Sequence, residues 1–228
     1  DSSSSRGLGD VYKRQLDDSG TKDWHQCILH KSEYEILNDW DTYGMKQTGS
    51  CSVKINELFV PEYKLQSFSV NRDGHTFKGV DLNKNLMYQI PTASIGGHGL
   101  AGCAIGGAQL CLDLLLEWIE KRSTSTSNMK MSDIPTIHNR LGEIASRIDA
   151  ARLILRNDCI EVERQMHENG QITTNNKLKY KRNAAYAVKI TLESVSIMQQ
   201  VCGANGIYNG SPITSALMDV QALSLIHI

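Results

Sequence analysis

The sequence predicts an α+β protein in which an antiparallel β-domain over residues 16–80 precedes an antiparallel four-helix bundle over residues 81–222. Residues 51–56 alternate between apolar and polar side chains, which is the period of a half-buried antiparallel strand. From 137 to 166 the apolar residues instead recur every three or four positions, which is typical of one long amphipathic helix. A stretch of small residues and leucines over 86–122 joins the two regions.

Both ends of the sequence differ in character from the rest. Residues 1–15 and 223–228 resemble translations of sequencing-adapter DNA, which recur at the ends of metagenomic gene fragments. Such segments are set aside in reasoning about the fold. We therefore expect the remaining residues to be an internal piece of a longer protein.

Charge and cysteine usage argue against several classes of partner. The 24 Lys and Arg residues nearly balance the 25 Asp and Glu residues, so no overall field would attract nucleic acid or an acidic membrane. The leucine-rich run 110–116 is broken by Asp113 and is too short to span a bilayer. The six cysteines lack C-x-x-C spacing, which argues against a zinc site or a redox motif. We expect a cytoplasmic protein with no metal, no nucleic-acid partner and no membrane segment.

The first region contains short extended runs separated by turn signals. Residues 26–29 and 34–37 have the composition of strands, and Asn38 marks the turn after them. Pro61 cannot donate a backbone hydrogen bond to a ladder, so we expect the sheet region to end there. The polar, glycine-containing residues 66–85 are predicted to connect the sheet to the bundle.

The first helix is predicted to end at Arg122 and to follow an extended segment, 88–91, because proline disfavours helical backbone in the residue before it. Residues 97–102 fit the G-x-G-x-x-G pattern of dinucleotide-binding folds. That pattern binds phosphate only inside a βαβ unit, and the next predicted element here is another helix. We interpret these glycines as small residues that let two helices approach closely, and His98 as a packing or helix-start residue.

Three further helices complete the predicted bundle. Asp133 is predicted to cap the second helix, with Pro135 in its first turn and a left-handed Gly170 at its end. Its apolar stripe consists of Ile137, Leu141, Ile144, Ile148, Ala151, Leu155, Cys159, Val162 and Met166. The third helix is predicted over 176–200, and the last helix begins near Pro212.

Residues 42–64, TYGMKQTGSCSVKINELFVPEYK, resemble the middle-domain signature of the acyl-CoA dehydrogenase superfamily, and in detail its flavin-dependent monooxygenase branch. That branch has a tryptophan before a G-x-x-G-T-G-S turn and then a strand that ends in V-F-V-P-E. Gln47 stands where glycine is usual, and the matching residues are Trp40, Gly44, Thr48, Gly49, Ser50, Phe59, Val60, Pro61 and Glu62. Residues 88–91 and 147–152 resemble the opening and the second helix of the branch's C-terminal bundle. The resemblance implies the C-terminal part of the acyl-CoA dehydrogenase fold.

Residues 200–206 resemble the superfamily's Q-x-x-G-G-x-G loop, which approaches the flavin of a neighbouring subunit. A backbone without side chains lets amide N–H groups come close to a ligand. Ala204 replaces the second glycine, and Ser215 and Met218 replace two usual arginines. Apart from the resemblance, residues 203–210 are typical of a turn between helices.

Arg122 stands where the family has an arginine that reaches the flavin's phosphates or adenine, although the usual Phe-Gly after it is absent. An arginine in the last helical turn also complements the helix dipole. The hydroxyls of Thr48 and Ser50 would hydrogen-bond the isoalloxazine edge, or else serve only the turn. The flavin-binding residues that the resemblance implies are Thr48, Ser50, Arg122, Gln200, Gly203, Ala204 and Gly206.

The resemblance implies the oxygenase component of a two-component monooxygenase. Reduced FMN or FAD would come from a separate flavin reductase, and a homotetrameric oxygenase would use it with O2 on an aromatic or heteroatom-containing small-molecule substrate. The alternatives are an acyl-CoA dehydrogenase with bound FAD and a bundle scaffold without catalysis. The catalytic histidine or glutamate is expected beyond Asp219, and Gln221 occupies the first position at which the family has histidine.

Overall fold

The computed structural model describes residues 13–16, 22–67, 79–80, 82–124, 127–208 and 210–226. The chain divides into two compact units. Residues 1–42 and 46–93 make up the sheet unit, and residues 43–45 and 94–228 make up the helical unit. Parts of the predicted adapter-like ends and of the predicted connection, 1–12, 68–78 and 227–228, lie outside the described residues.

Two small antiparallel sheets lie in the described part of the sheet unit. Strands β1 (Lys13–Leu16), β2 (Lys22–Cys27) and β5 (Leu65–Ser67) form one sheet in the order β1-β2-β5. Strands β3 (Glu35–Ile36) and β4 (Val53–Lys54) form the other. The register places Cys27 of β2 opposite Leu65 of β5, and Ile36 of β3 opposite Val53 of β4.

The alternation predicted over 51–56 is confirmed, since its apolar side chains are half-buried and its polar ones are exposed. The predicted end of the sheet at Pro61 is wrong, because β5 follows it. Pro61 precedes a single 3-10 turn, Glu62–Lys64, and this turn returns the chain to β2. There the N–H of Ile28 donates to the carbonyl of Lys64 at 3.0 Å. The chain therefore rejoins the sheet four residues after the proline.

Four α-helices form the bundle in the described part of the helical unit, which confirms the predicted fold class. They are α1 (Thr92–Glu120), α2 (Pro135–Asn169), α3 (Thr174–Cys202) and α4 (Pro212–Ile226). Gly170 ends α2 with φ +64°, and its N–H donates to the carbonyl of Met166 at 3.0 Å. The predicted left-handed cap of α2 is confirmed.

The predicted N-terminal cap of α2 is wrong. Asp133 belongs to a 3-10 turn, Met131–Asp133, and Ile134 is the N-cap residue without a capping side chain. The extra turn moves Asp133 one residue too far from the helix to cap it, whereas Pro135 occupies the first turn as predicted. Short 3-10 turns of this kind leave no periodic signal in the sequence.

The approach to α1 differs partly from the prediction. Ile90, directly before the proline, is extended with ψ 122°, but Leu86–Gln89 forms a 3-10 turn where 88–91 was predicted to be extended. The turn is capped by the side chain of Asn85, which accepts from the N–H of Met87 at 2.9 Å. Proline constrains only the residue before it, so Tyr88 and Gln89 were free to turn.

The bundle core is made of apolar side chains from all four helices. Fully or nearly fully buried examples are Leu115, Ile144, Ile148, Val188, Val195, Met198 and Val220. The stripe predicted for α2 is confirmed except at Cys159, which is exposed, because Asp158 points into the core in its place. A polar residue thus occupies a position that the periodicity assigns to an apolar one.

The G-x-G-x-x-G run, residues 97–102, lies wholly inside α1, so it is no phosphate-binding turn. The close packing is made by alanines, since Ala101, Ala104 and Ala108 are completely buried. A Cβ added at Gly99 or Gly102 would meet nothing within 4 Å. By length and composition α1 could cross a membrane, since an 18-residue stretch of it has a mean hydropathy of 1.6, yet core helices of soluble proteins meet the same criterion.

Candidate functional site

The turn between α3 and α4 exposes its backbone. Gly203 closes α3 with φ +55°, and its N–H donates to the carbonyl of Gln200. Residues Gly203–Ile207 then form a 3-10 turn in which Gly203, Ala204 and Asn205 are exposed. A Cβ at Gly203 would meet no atom within 4 Å, so backbone conformation and not crowding favours glycine there.

Gly206 fixes the base of this turn. Its carbonyl accepts hydrogen bonds from the side chains of Gln199 (3.1 Å) and Thr214 (3.0 Å). A Cβ at this buried glycine would lie 3.0 Å from the carbonyl oxygen of Gln199 and 3.2 Å from Cβ of Cys202. Side chains of both α3 and α4 therefore fix the backbone at Gly206, and close packing leaves it little room to move. The exposed residues of the turn are attached to this fixed position.

Arg122, which follows the end of α1 by two residues, contacts this turn. Its Nη2 donates to Oδ1 of Asn205 at 3.3 Å, and its guanidinium carbon lies 5.3 Å from the centroid of the Trp118 ring. Guanidinium has five N–H donors, of which this contact uses one. The structure thus brings Arg122 together with the predicted residues Gln200, Gly203, Ala204 and Gly206.

A cavity of about 250 Å³ lies beside the same part of the bundle. It is lined by Leu114, Glu117 and Trp118 of α1, by Lys121 directly after α1, and by Ser211, Pro212 and Ile213 at the start of α4. Trp118 faces both this cavity and the guanidinium of Arg122. The arrangement offers an aromatic and aliphatic wall with the charged groups of Lys121 and Glu117 beside it, which suits a planar ligand that also carries polar groups.

Thr48 and Ser50 lie in the sheet unit, in and after the 3-10 turn Lys46–Thr48. Both residues are exposed, and Oγ of Ser50 donates to Oγ1 of Thr48 at 3.5 Å. Gly49 between them has φ +58°, and the N–H of Cys51 donates to its carbonyl at 2.7 Å. The two hydroxyls therefore lie together on one tight turn.

A buried polar triad lies inside the bundle and was only partly foreseen. His98 was predicted to be a packing or helix-start residue, and it packs in the interior of α1 with Nε2 3.1 Å from Oδ2 of Asp158. Oδ1 of the same carboxylate accepts from Nδ2 of Asn183 at 2.8 Å. Asp158 is fully buried, so the triad ties α1, α2 and α3 together through one satisfied carboxylate.

Sequence reasoning missed Asn205 and Asp158. Asn205 stands at a variable position of the glycine loop, so no motif marks it. Asp158 follows Leu155 by three positions and precedes Val162 by four, and this spacing assigns it to the buried stripe of α2. The spacing therefore indicated that Asp158 is buried, although a charged residue is unusual in a protein core.

The family model for the acyl-CoA dehydrogenase C-terminal domain matches residues 98–227, which is more than half of the chain. The chain belongs to this family. The predicted resemblance is thereby confirmed, and the α1–α4 bundle is the family's C-terminal domain.

The relatives of this family member include oxygenases. The oxygenase component of an FADH(2)-dependent resorcinol hydroxylase from Rhizobium sp. (strain MTP-10005) is 24% identical over 204 residues, which are 86% of this chain and 50% of the relative. The solved 3-HSA hydroxylase from Rhodococcus sp. RHA1 superposes with a TM-score of 0.81 at 24% identity, covering 90% of this chain and 53% of that one.

A second solved structure, XiaF from Streptomyces sp. in complex with FADH2 and glycerol, superposes with a TM-score of 0.80 at 20% identity. That match covers 92% of this chain and 53% of XiaF. The chain therefore spans about half the length of the relatives that it matches. These likenesses confirm the fold predicted from the sequence.

Proposed function

We propose that this chain is part of the oxygenase component of a two-component flavin-dependent monooxygenase. The observation that carries the proposal is the contact between Arg122 and Asn205 in the exposed part of the Gly203–Ile207 turn. The relatives whose names specify reduced flavin or a hydroxylase support it. As a cytoplasmic enzyme it would receive reduced FMN or FAD from a separate reductase and oxygenate an aromatic or heteroatom-containing substrate.

The residues around the turn fit a phosphate-bearing flavin. Arg122 has N–H donors left after its contact with Asn205, and guanidinium matches phosphate oxygens in geometry and charge. Gly203 has no side chain and Ala204 only a methyl group, so a phosphate can approach the backbone. In this proposal Gln200, Gly203, Ala204 and Gly206 shape the backbone of the site and Arg122 supplies its charge.

Thr48 and Ser50 would act on the ring system. Their paired hydroxyls can donate to or accept from the polar edge of an isoalloxazine, and such hydrogen bonds tune a flavin's reactivity. When bound, reduced flavin would supply the electrons that activate O2 and let one oxygen atom be inserted into the substrate. The protein itself would bind and orient the flavin and the substrate, and it would exclude water from the site.

We further propose that the flavin site is completed between copies of the chain, as in a homotetramer. The bundle exposes large apolar side chains, among them Leu110, Leu153, Ile160 and Tyr186, which are each more than half exposed. In this proposal they form part of an apolar surface that a second copy of the chain covers. The resemblance assigns the glycine loop to the flavin of a neighbouring subunit, so assembly and cofactor binding would be coupled.

Titration of the 228-residue chain with FMN and with FAD tests the site. Arg122→Ala should weaken flavin binding by about 10-fold or more, since a charged hydrogen bond to phosphate contributes roughly 1.5–3 kcal/mol. Arg164→Ala is the matched control, because Arg164 is an exposed arginine of α2 whose ion pair is with Glu168 of the same helix. Equal affinities for the two variants would contradict the assignment of Arg122.

A further inference from the structure

Residues 43–45 belong to the helical unit although the residues on either side of them belong to the sheet unit. Gly44 is buried there against α4. A Cβ at Gly44 would lie 2.2 Å from the carbonyl oxygen of Met218 and 3.1 Å from Cβ of Ala222. Only glycine allows the backbone to approach α4 this closely.

The next residue is held in an unfavourable conformation. Met45 has φ +54°, in the left-handed region that residues with a side chain rarely adopt. Its side chain is partly buried against the bundle core. A strained backbone of this kind persists only where surrounding contacts determine it, and such strain is concentrated at functional sites.

Asp219 supplies the contact that holds the strained residue. Its Oδ1 accepts from the backbone N–H of Met45 at 2.6 Å, across 174 residues of sequence. A carboxylate that accepts from a backbone N–H makes a short and strong hydrogen bond. Close approach at Gly44, core packing at Met45 and the carboxylate of Asp219 together make one anchor on α4.

We propose that Asp219 is a positioning residue for the turn that bears Thr48 and Ser50. The turn begins at Lys46, directly after the anchored residue, and Thr48 is only three residues from Met45. Since one residue spans at most about 3.5 Å, fixing Met45 restricts the turn to a small region. This inference rests on the proposed function, in which the two hydroxyls contact flavin.

Backbone hydrogen exchange of the flavin-free chain tests the anchor. Asp219→Ala should speed exchange at Met45 and over residues 46–50 by about 10-fold, and Asp219→Asn, which keeps an accepting oxygen, by less. Asp113→Ala is the control, because Asp113 is an exposed carboxylate of α1 that accepts a hydrogen bond from Gln109 of the same helix. Unchanged exchange over α2 verifies that each variant is folded. Unaltered exchange at Met45 in Asp219→Ala would overturn the anchor.

Affinity for dithionite-reduced FMN tests the positioning role. Asp219→Ala should weaken binding by about 10-fold, with partial recovery in Asp219→Asn and no change in Asp113→Ala. Faster exchange with unchanged FMN affinity would overturn the positioning role while leaving the anchor in place. If the unaltered chain binds no FMN, the proposed function and the positioning role fail together, and the exchange result still decides the anchor.

Discussion

The helical unit and the sheet unit bury their apolar residues to very different extents. In the helical unit one connected core contains side chains from all four helices. Among the described residues of the sheet unit, the side chains of Cys27, Leu29 and Pro91 are buried, whereas Phe59 and Leu82 are 87% and 86% exposed. The bundle therefore has a buried apolar core that stabilises it, whereas the described residues of the sheet unit form mainly exposed turns.

Core truncation should show this difference most strongly. Leu115→Ala removes a completely buried side chain and should lower the free energy of unfolding by about 3–4 kcal/mol. Phe59→Ala removes a larger but exposed side chain and should change it by less than about 0.5 kcal/mol. Urea unfolding followed by circular dichroism measures both. Equal effects would show that the contrast in burial does not reflect stability.

The buried triad should produce the next largest effect. Asp158→Ala leaves His98 and Asn183 without their shared acceptor and should cost about 2–4 kcal/mol. Asp158→Asn keeps one accepting oxygen and should cost less. Asp149→Ala, at an exposed carboxylate of the same helix, is the control for loss of a surface ion pair. A cost for Asp158→Ala no greater than that of the control would contradict a structural role for the triad.

Two glycines within α1 should respond differently to substitution by alanine. Gly99→Ala adds a methyl group in open space and should stabilise the helix by about 0.5–1 kcal/mol, because alanine restricts the unfolded chain more than glycine does. Gly107→Ala places its Cβ 3.0 Å from Cγ2 of Val220 and should lose that gain or become destabilising. Thermal unfolding of the pair, measured side by side, distinguishes packed from open positions on one helix.

Tyr180 should make the stability of the bundle fall at high pH. Burial, together with the nearby carboxylates of Glu161 and Asp158, raises the pKa of Tyr180 from 10 to about 12. The folded state therefore keeps the proton that the unfolded state releases, so this contribution is complete below pH 10 and is lost as the pH rises to about 12.

Tyr180→Phe should have a shallower decline of unfolding free energy over that pH range than the unaltered chain. Tyr186→Phe, at an exposed tyrosine of the same helix, should leave the decline unchanged. Identical slopes in the Tyr180→Phe variant and the unaltered chain would contradict the inferred shift.

The bundle was predictable because a helix of this kind is indicated by a sequence pattern within the helix itself. The spacing of apolar residues from Ile137 to Met166 and the glycine at 170 are local features, and α2 indeed runs from Pro135 to Asn169. Strand limits were less predictable. The ends of β2 depend on its pairing with β1 and β5, and β5 lies beyond a proline that was expected to end the sheet.

The candidate site was predictable only in part for a related reason. The resemblance identified Gly203 and Arg122 as site residues. Their proximity depends on a contact between the segments that follow α1 and α3, and Asn205, which makes that contact, is a fixed residue of no motif. The hydrogen bond from Met45 to Asp219 crosses 174 residues and leaves no trace in local composition. Contacts between distant residues are fixed by the fold, not by periodicity.

The proposed function requires that the chain bind a flavin that arrives already reduced. The decisive measurement is the affinity of the 228-residue chain for reduced and oxidised FMN and FAD, with oxygen excluded for the reduced forms. A reduced flavin should bind more tightly than its oxidised form, and Arg122→Ala should weaken this binding. Tighter binding of oxidised FAD would favour an acyl-CoA dehydrogenase. No binding of any form would favour a scaffold and contradict the proposed function.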